Sequence, residues 1–177
     1  MSDTVILQGG SAYGHLFENP AAKVERWVYW AVSLELSDEL SMSIEWLRFD
    51  PAMLPLGEAV QCSNETQPEA EASVYVFSHE WVDRWSLEMT PLPDGRFRVA
   101  VDATVPVEDD DGEVQDVTVR GETEIGFDGI LLVKSSLAEK PDSEAAALNA
   151  LAPFAEDQAF AVADEDFRFV LTPVSAA

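Results

Sequence analysis

The chain contains two histidines, His15 and His79, and one cysteine, Cys62, and this short supply limits the chemistry open to it. Ser78-His79-Glu80 is the best catalytic candidate, because an imidazole oriented by a carboxylate can act as a general base. Adjacent residues in a strand point to opposite faces, so these three form no relay among themselves. His79 would need a distant carboxylate such as Asp83 or Glu88. The alternative is that His79, close in sequence to Tyr75 and Trp81, is a hydrogen-bonded packing residue. Gly9-Gly10-Ser11-Ala12-Tyr13-Gly14 approaches the nucleophile elbow G-x-S-x-G, but Tyr13 stands where the second glycine is required. No phosphate-binding glycine loop of the Walker or dinucleotide type is present.

Metal ligands are equally sparse. There is no HExxH, no H-x-H and no cysteine pair, so neither a metal centre nor a cofactor is expected. Glu108-Asp109-Asp110-Asp111-Gly112 resembles a calcium loop, but aligning its glycine puts Val107 at the first ligand position. Thr118 then falls at the twelfth, where a bidentate Glu is needed. A single cysteine forms neither an internal disulfide nor a thiolate cluster. Asn64-Glu65-Thr66 matches a glycosylation sequon, a match that carries weight only in a secreted chain.

Charge is the strongest compositional signal. Asp and Glu number 34 against 10 Lys and Arg, a formal net charge of −24 in 177 residues. Such a surface does not attract nucleic acid by its overall charge. Self-repulsion opposes the compact state unless salt or a partner neutralises it. Three lysines against seven arginines suit adaptation to high salt; an acidic ligand surface, such as a DNA mimic, and plain acidity are the other readings. The acids lie in every segment, which favours general solvation over one dedicated patch. No stretch reaches the roughly 18 apolar residues that span a bilayer, and Met1-Ser2-Asp3-Thr4 lacks the basic start of a secretory signal. An intracellular protein, or a component of an intracellularly assembled particle, is expected, with no membrane association.

The elements that must position these residues are mostly strands. With 47% hydrophobic residues the chain can build a core. Residues 1–22, rich in glycine and polar side chains, read as an irregular N-terminal arm, and 23–177 as a β-rich body of one domain. From Lys23 the apolar residues Val28, Trp30, Val32, Leu34 and Leu36 recur with period two, and Leu40, Met42, Ile44 and Trp46 continue the pattern. A hairpin pivoting near Asp38 would set Leu34 opposite Met42, Val32 opposite Ile44 and Trp30 opposite Trp46. On the other parity Trp27, Tyr29, Leu47 and Phe49 make the far end apolar on both faces. Either the C-terminal helix covers that second face, or it is an aromatic patch for a partner subunit.

Residues 50–72 read as a long Pro-containing connection, followed by strands at 73–77 and 81–89. The next hairpin is the clearest. Phe97, Val99, Val101, Ala103, Val105 and Val107 share one parity, as do Val117, Val119, Ile125 and Phe127 on the return arm. Only odd-with-odd registers keep one apolar face. Placing Glu113 opposite Asp109 gives a three-residue loop ending in Gly112. The same register sets Asp102 opposite Arg120, Arg98 opposite Glu124, and Thr104 opposite Thr118. A strand at 130–133, a short helix from an N-cap at Asp142 or Ser143 to Ala152, ended by Pro153, and a last strand at 167–171 complete the chain. The expected fold is α+β and predominantly antiparallel β: a meander of long hairpins, sandwich- or barrel-like, with one short C-terminal helix.

Three functions compete. The first is a non-enzymatic structural protein that self-associates through β-rich surfaces, a component of a virion- or tail-like particle, with Trp27, Tyr29, Leu47 and Phe49 as its interaction surface and copies of itself as partners. The second is an acidic inhibitor, immunity or DNA-mimic module that occupies a basic protein site with the hairpin tip Glu108, Asp109, Asp110, Asp111 and Glu113. The third is a small enzyme or ligand carrier with a pocket around His79, Trp81 and Trp85.

Overall fold

A computed structural model of the chain describes residues 4–36, 40–50, 57–75, 79–108, 114–155 and 158–174. It is mostly β, 64% strand, with one helix of 12 residues near the C-terminus. In chain order the elements are β1 (Thr4–Val5), β2 (Leu7–Asn19), β3 (Val24–Leu36), β4 (Ser41–Arg48), β5 (Val60–Ser63), β6 (Glu71–Tyr75) and β7 (His79–Trp81). They continue with β8 (Arg84–Pro91), β9 (Phe97–Glu108), β10 (Val114–Val133), α1 (Glu144–Ala155), β11 (Phe160–Glu165) and β12 (Arg168–Pro173). Two compact units emerge: one from the described residues of 1–12, 31–47 and 58–127, the other from those of 13–30, 48–57 and 128–177. Strands β2, β3, β4 and β10 contribute residues to both.

In the first unit the strands lie in the order β5-β8-β9-β10-β2-β3-β4-β6-β7, with β1 pairing parallel to β10 through Thr4↔Thr118. Strand β7, last in that order, comes against β9, so this unit's sheet curls back on itself. Strands β9 and β10 pair in the register that charge and turn chemistry predict: Asp102 faces Arg120, Arg98 faces Glu124 and Thr104 faces Thr118. The loop residues 109–113 lie outside the described residues. Phe97, Val99, Val101, Ala103 and Val105 are all buried, together with Leu87, Met89, Val119 and Ile125. A one-residue slip would carry this whole set to water, which is why the register is so well determined.

The hairpin of β3 and β4 closes with Leu36 N–H donating to Leu40 O at 2.9 Å; its turn, 37–39, is outside the described residues. Leu34, Leu36, Met42 and Ile44 are buried as their alternation requires. The alternation fails at Trp46, whose φ of 62° is in the left-handed region. That single irregular residue shifts the strand by one position, so Leu47 is fully buried and Trp46 only half-buried. The expectation that Leu47 shares an outward face with Trp27 and Tyr29 is therefore corrected.

In the second unit the end of β10 pairs with β12, Ile130 facing Leu171 and Leu132 facing Phe169, and β12 pairs with β11. Leu16, Val28, Trp30, Ile130, Leu132, Phe169 and Leu171 are buried, and α1 contributes Ala147, Leu151, Phe154 and Ala155. Ser143 Oγ accepts the Ala146 N–H at 3.3 Å and caps the helix. Pro153 lies inside the helix rather than ending it. It falls in the last turn, where the burial of Phe154 and Ala155 outweighs the one hydrogen bond that proline removes. Glu18 accepts from both Arg26 Nε and Nη2, at 3.1 and 2.9 Å, and from Ala138 N–H at 2.6 Å. The Arg26 guanidinium, then that amide, hold its carboxyl below the usual carboxylate range.

Two further expectations are overturned. The opening segment is no arm: β2 runs between β10 and β3. Its period-two pattern is hidden by Gly9, Gly10 and Gly14, and Gly14 is required because a Cβ there would collide with Ile130 Cδ1 and come to 2.8 Å from Val28 Cγ1. The connection at 50–72 contains β5, a strand too short to show a period, whose Val60 and Cys62 are buried against β8.

Candidate functional site

The side chains singled out from sequence fall in different places. His79 opens β7 opposite Tyr75; its side chain lies outside the described residues, as do Ser78 and hairpin-tip residues 109–113. Glu108 ends β9 opposite Val114. Asp83 is exposed in the link to β8, and Glu88 on β8 accepts from Gln61 Nε2 at 2.8 Å. Burial pushes the Cys62 thiol up to about 12, so it is not a nucleophile at neutral pH. Among the described residues no group of three or more His, Cys, Asp or Glu is placed to hold a metal ion.

Trp27, Tyr29 and Phe49 all belong to the second unit and are each half-buried, but their rings meet different neighbours: that of Phe49 lies 6.3 Å from the buried Trp30, and that of Tyr29 meets Phe17 edge-on at 6.5 Å. Trp27 Nε1 donates to Phe49 O at 2.9 Å, its ring meets the Phe154 ring of α1 edge-on at 5.7 Å, and the Arg48 guanidinium lies 4.1 Å over it. The helix thus covers part of Trp27.

His15, on β2, packs its ring 5.4 Å from that of Phe17, and its buried Nε2 has no hydrogen-bond partner among the described residues. Burial lowers its pKa from 6.5, because the charged imidazolium is poorly solvated there. The unfolded chain therefore takes up a proton at a higher pH than the folded one. His15 costs nothing above 6.5, and stability falls as pH drops from there toward its lower folded value. Thermal melts at pH 7.5 and 5.5 should show a larger acid loss for the natural chain than for His15→Phe. Equal losses would mean that His15 is solvated in the fold.

Two outward faces of the first unit bear residues with binding potential. On β4, β6 and β7 the registers place Ser43, Ser73 and Trp81 in one row and Ser41, Tyr75 and His79 in the next. These six positions carry no formal charge at pH 7; Glu45 and Glu71 form the row beyond. Ser43 Oγ and Ser73 Oγ lie 3.1 Å apart in hydrogen-bond contact, while Trp81 is 61% and Tyr75 47% exposed.

The other face belongs to β5, β8, β9 and β10. Its rows read Ser63, Ser86, Asp102, Arg120 and Gln61, Glu88, Ala100, Glu122. The short side chains Ser63, Ser86 and Ala100 leave a groove of about 540 Å³, walled on one side by Thr66. A second hollow of about 350 Å³ adjoins it, sharing Ser63, Ser86 and Asp102, and reaches Asn64, Arg84 and Thr104. Asn64 extends β5 without being a strand residue: its N–H donates to Trp85 O at 3.3 Å and its Oδ1 accepts Trp85 N–H at 3.2 Å. Arg96, Arg98 and Arg120 on this face each pair with a carboxylate, whereas Arg84 makes no ion pair among the described residues. Sequence reasoning missed this trough because β5 went unseen; the one signal was Ser86 and Glu88 alternating with the apolar residues of β8. No protein-family model, curated protein or solved structure matches the chain.

Proposed function

We propose that this is a non-enzymatic structural protein that self-associates through the serine- and aromatic-bearing rows of the β4, β6 and β7 face, beyond which Glu45 and Glu71 lie. The observation that carries the proposal is the exposure of Trp81 and Tyr75, at 61% and 47%, on one charge-free patch of a chain whose net charge is −24. Tryptophan and tyrosine are the side chains that most often dominate protein contacts, since each buries a large area for few rotatable bonds. A partner of the same charge is repelled almost everywhere on such a molecule. A patch of Ser41, Ser43, Ser73, Tyr75 and Trp81 is where a second copy meets least repulsion, and a two-fold contact there is self-complementary. Trp27 is already partly covered by Phe154 of α1 and the Phe49 ring lies against the buried Trp30, which favours Trp81 as the anchor.

Long-range repulsion between two copies is screened by salt, with a Debye length near 10 Å at 0.1 M and about 3 Å at 1 M. Light scattering at low, moderate and multimolar KCl should show a discrete oligomer that tightens as salt rises. Trp81→Ser should weaken it at least tenfold at every salt concentration without lowering the melting temperature. A strict monomer at micromolar concentration in all conditions, or an oligomer indifferent to Trp81→Ser, overturns the proposal. The first of these outcomes directs attention to a basic partner for the acidic surface.

A further inference from the structure

The trough on β5, β8 and β9 is separate from the proposed contact face, and its chemistry is specific. At one end stand Arg84, the Asn64 amide and the Thr104 hydroxyl. Asn64 Oδ1 is taken by the Trp85 N–H, which leaves the Nδ2 hydrogens as donors. The Arg84 side chain makes no hydrogen bond or ion pair with any described residue, unlike its neighbours Arg96, Arg98 and Arg120. This end is a cluster of donors suited to a carboxylate, which arginine binds through two parallel N–H groups. Glu65 and Asp102 also line it, but Asp102 accepts from Arg120 Nε at 2.8 Å and is neutralised by it. At the other end is Glu88, with one oxygen accepting from Gln61 and no described partner on the second. The floor between them is made of Ser63, Ser86 and Ala100, too short to fill it.

A free anion has no reason to enter a hollow on a molecule of net charge −24. A ligand that uses Arg84 must bring its own positive charge, and Glu88 is placed to meet it. Along β8 the two ends are about 13 Å apart at roughly 3.3 Å per residue, and an extended peptide of four residues spans at most about 13–14 Å. We infer that the trough binds a short linear zwitterion of peptide type, its carboxylate on Arg84 and Asn64 and its ammonium on Glu88, with backbone amides over the hydroxyls of Ser63 and Ser86.

The test is an amide-resolved NMR titration of the full-length protein at low ionic strength with tetra-alanine, N-acetyl-tetra-alanine, tetra-alanine amide and sodium acetate. Tetra-alanine should give saturable shifts at Ser63, Ser86 and Ala100, and capping either end should weaken binding at least fivefold. Arg84→Gln should lose as much affinity as amidation does and then be insensitive to it; Glu88→Gln should do the same for acetylation. Arg84 is exposed, so its replacement leaves the fold intact, as an unchanged melting curve will show. Absence of saturable shifts, affinity indifferent to both caps, or acetate binding as tightly as the peptide each overturns the inference.

Discussion

Replacing Gly10 with alanine lowers the stability of the chain by about 3–5 kcal/mol, in the upper tail of single-substitution effects. Gly10 has φ 145°, a conformation that side-chain-bearing residues rarely adopt. A Cβ built there would also collide with the Ser33 carbonyl oxygen and stand 3.1 Å from Leu34 Cα. Both obstacles are backbone of β3, which cannot rotate aside as a side-chain tip would. The internal control is Gly126→Ala: no atom comes within 4 Å of a Cβ there and its φ is not positive, so a change of no more than about 0.5 kcal/mol is expected. Urea denaturation of the two variants measures both. Equal midpoints would mean that β2 does not lie against β3 at Gly10.

Trp30→Ala is expected to cost about 3–5 kcal/mol, the usual range for deleting a buried aromatic side chain. Trp30 is 1% exposed and its ring lies 6.3 Å from that of Phe49. Trp81→Ala, by contrast, should change stability by no more than about 0.5 kcal/mol, because the side chain is 61% exposed. The two tryptophans are therefore separable: one carries the core of the second unit, and the other is available to a partner. Loss of stability in Trp81→Ala comparable to that in Trp30→Ala would place Trp81 in the core and remove the basis of the proposed contact.

These two comparisons also mark the limit of sequence reading. In the hairpin of β9 and β10 apolar parity, opposite charges and turn chemistry constrain the same few residues. Asp102, Arg120, Arg98 and Glu124 accordingly pair as read from sequence. Burial of Leu34, Leu36, Met42 and Ile44 follows from period two alone. The helix near the C-terminus is likewise legible in its cap and alanines, although its end is not, because tertiary burial of Phe154 and Ala155 overrides Pro153.

What the sequence by itself determined is local and periodic: a β-rich chain, its strongest registers, one capped helix, and a charge that any association must contend with. What only the tertiary structure decided is non-local. Strand β2 is central because Gly10 and Gly14 let it approach β3 and Ile130, yet in sequence glycine lowers strand propensity and reads as a loop. The positive φ of Trp46 moves Leu47 into the core, and nothing in one residue's type announces a bulge. Trp81 and Tyr75 become a shared exposed face, and the hollow of Arg84 and Asn64 comes to adjoin the groove of Glu88, only when strands distant in sequence are laid side by side. Parity says which residues share a face of one strand; pairing across strands says which of them meet.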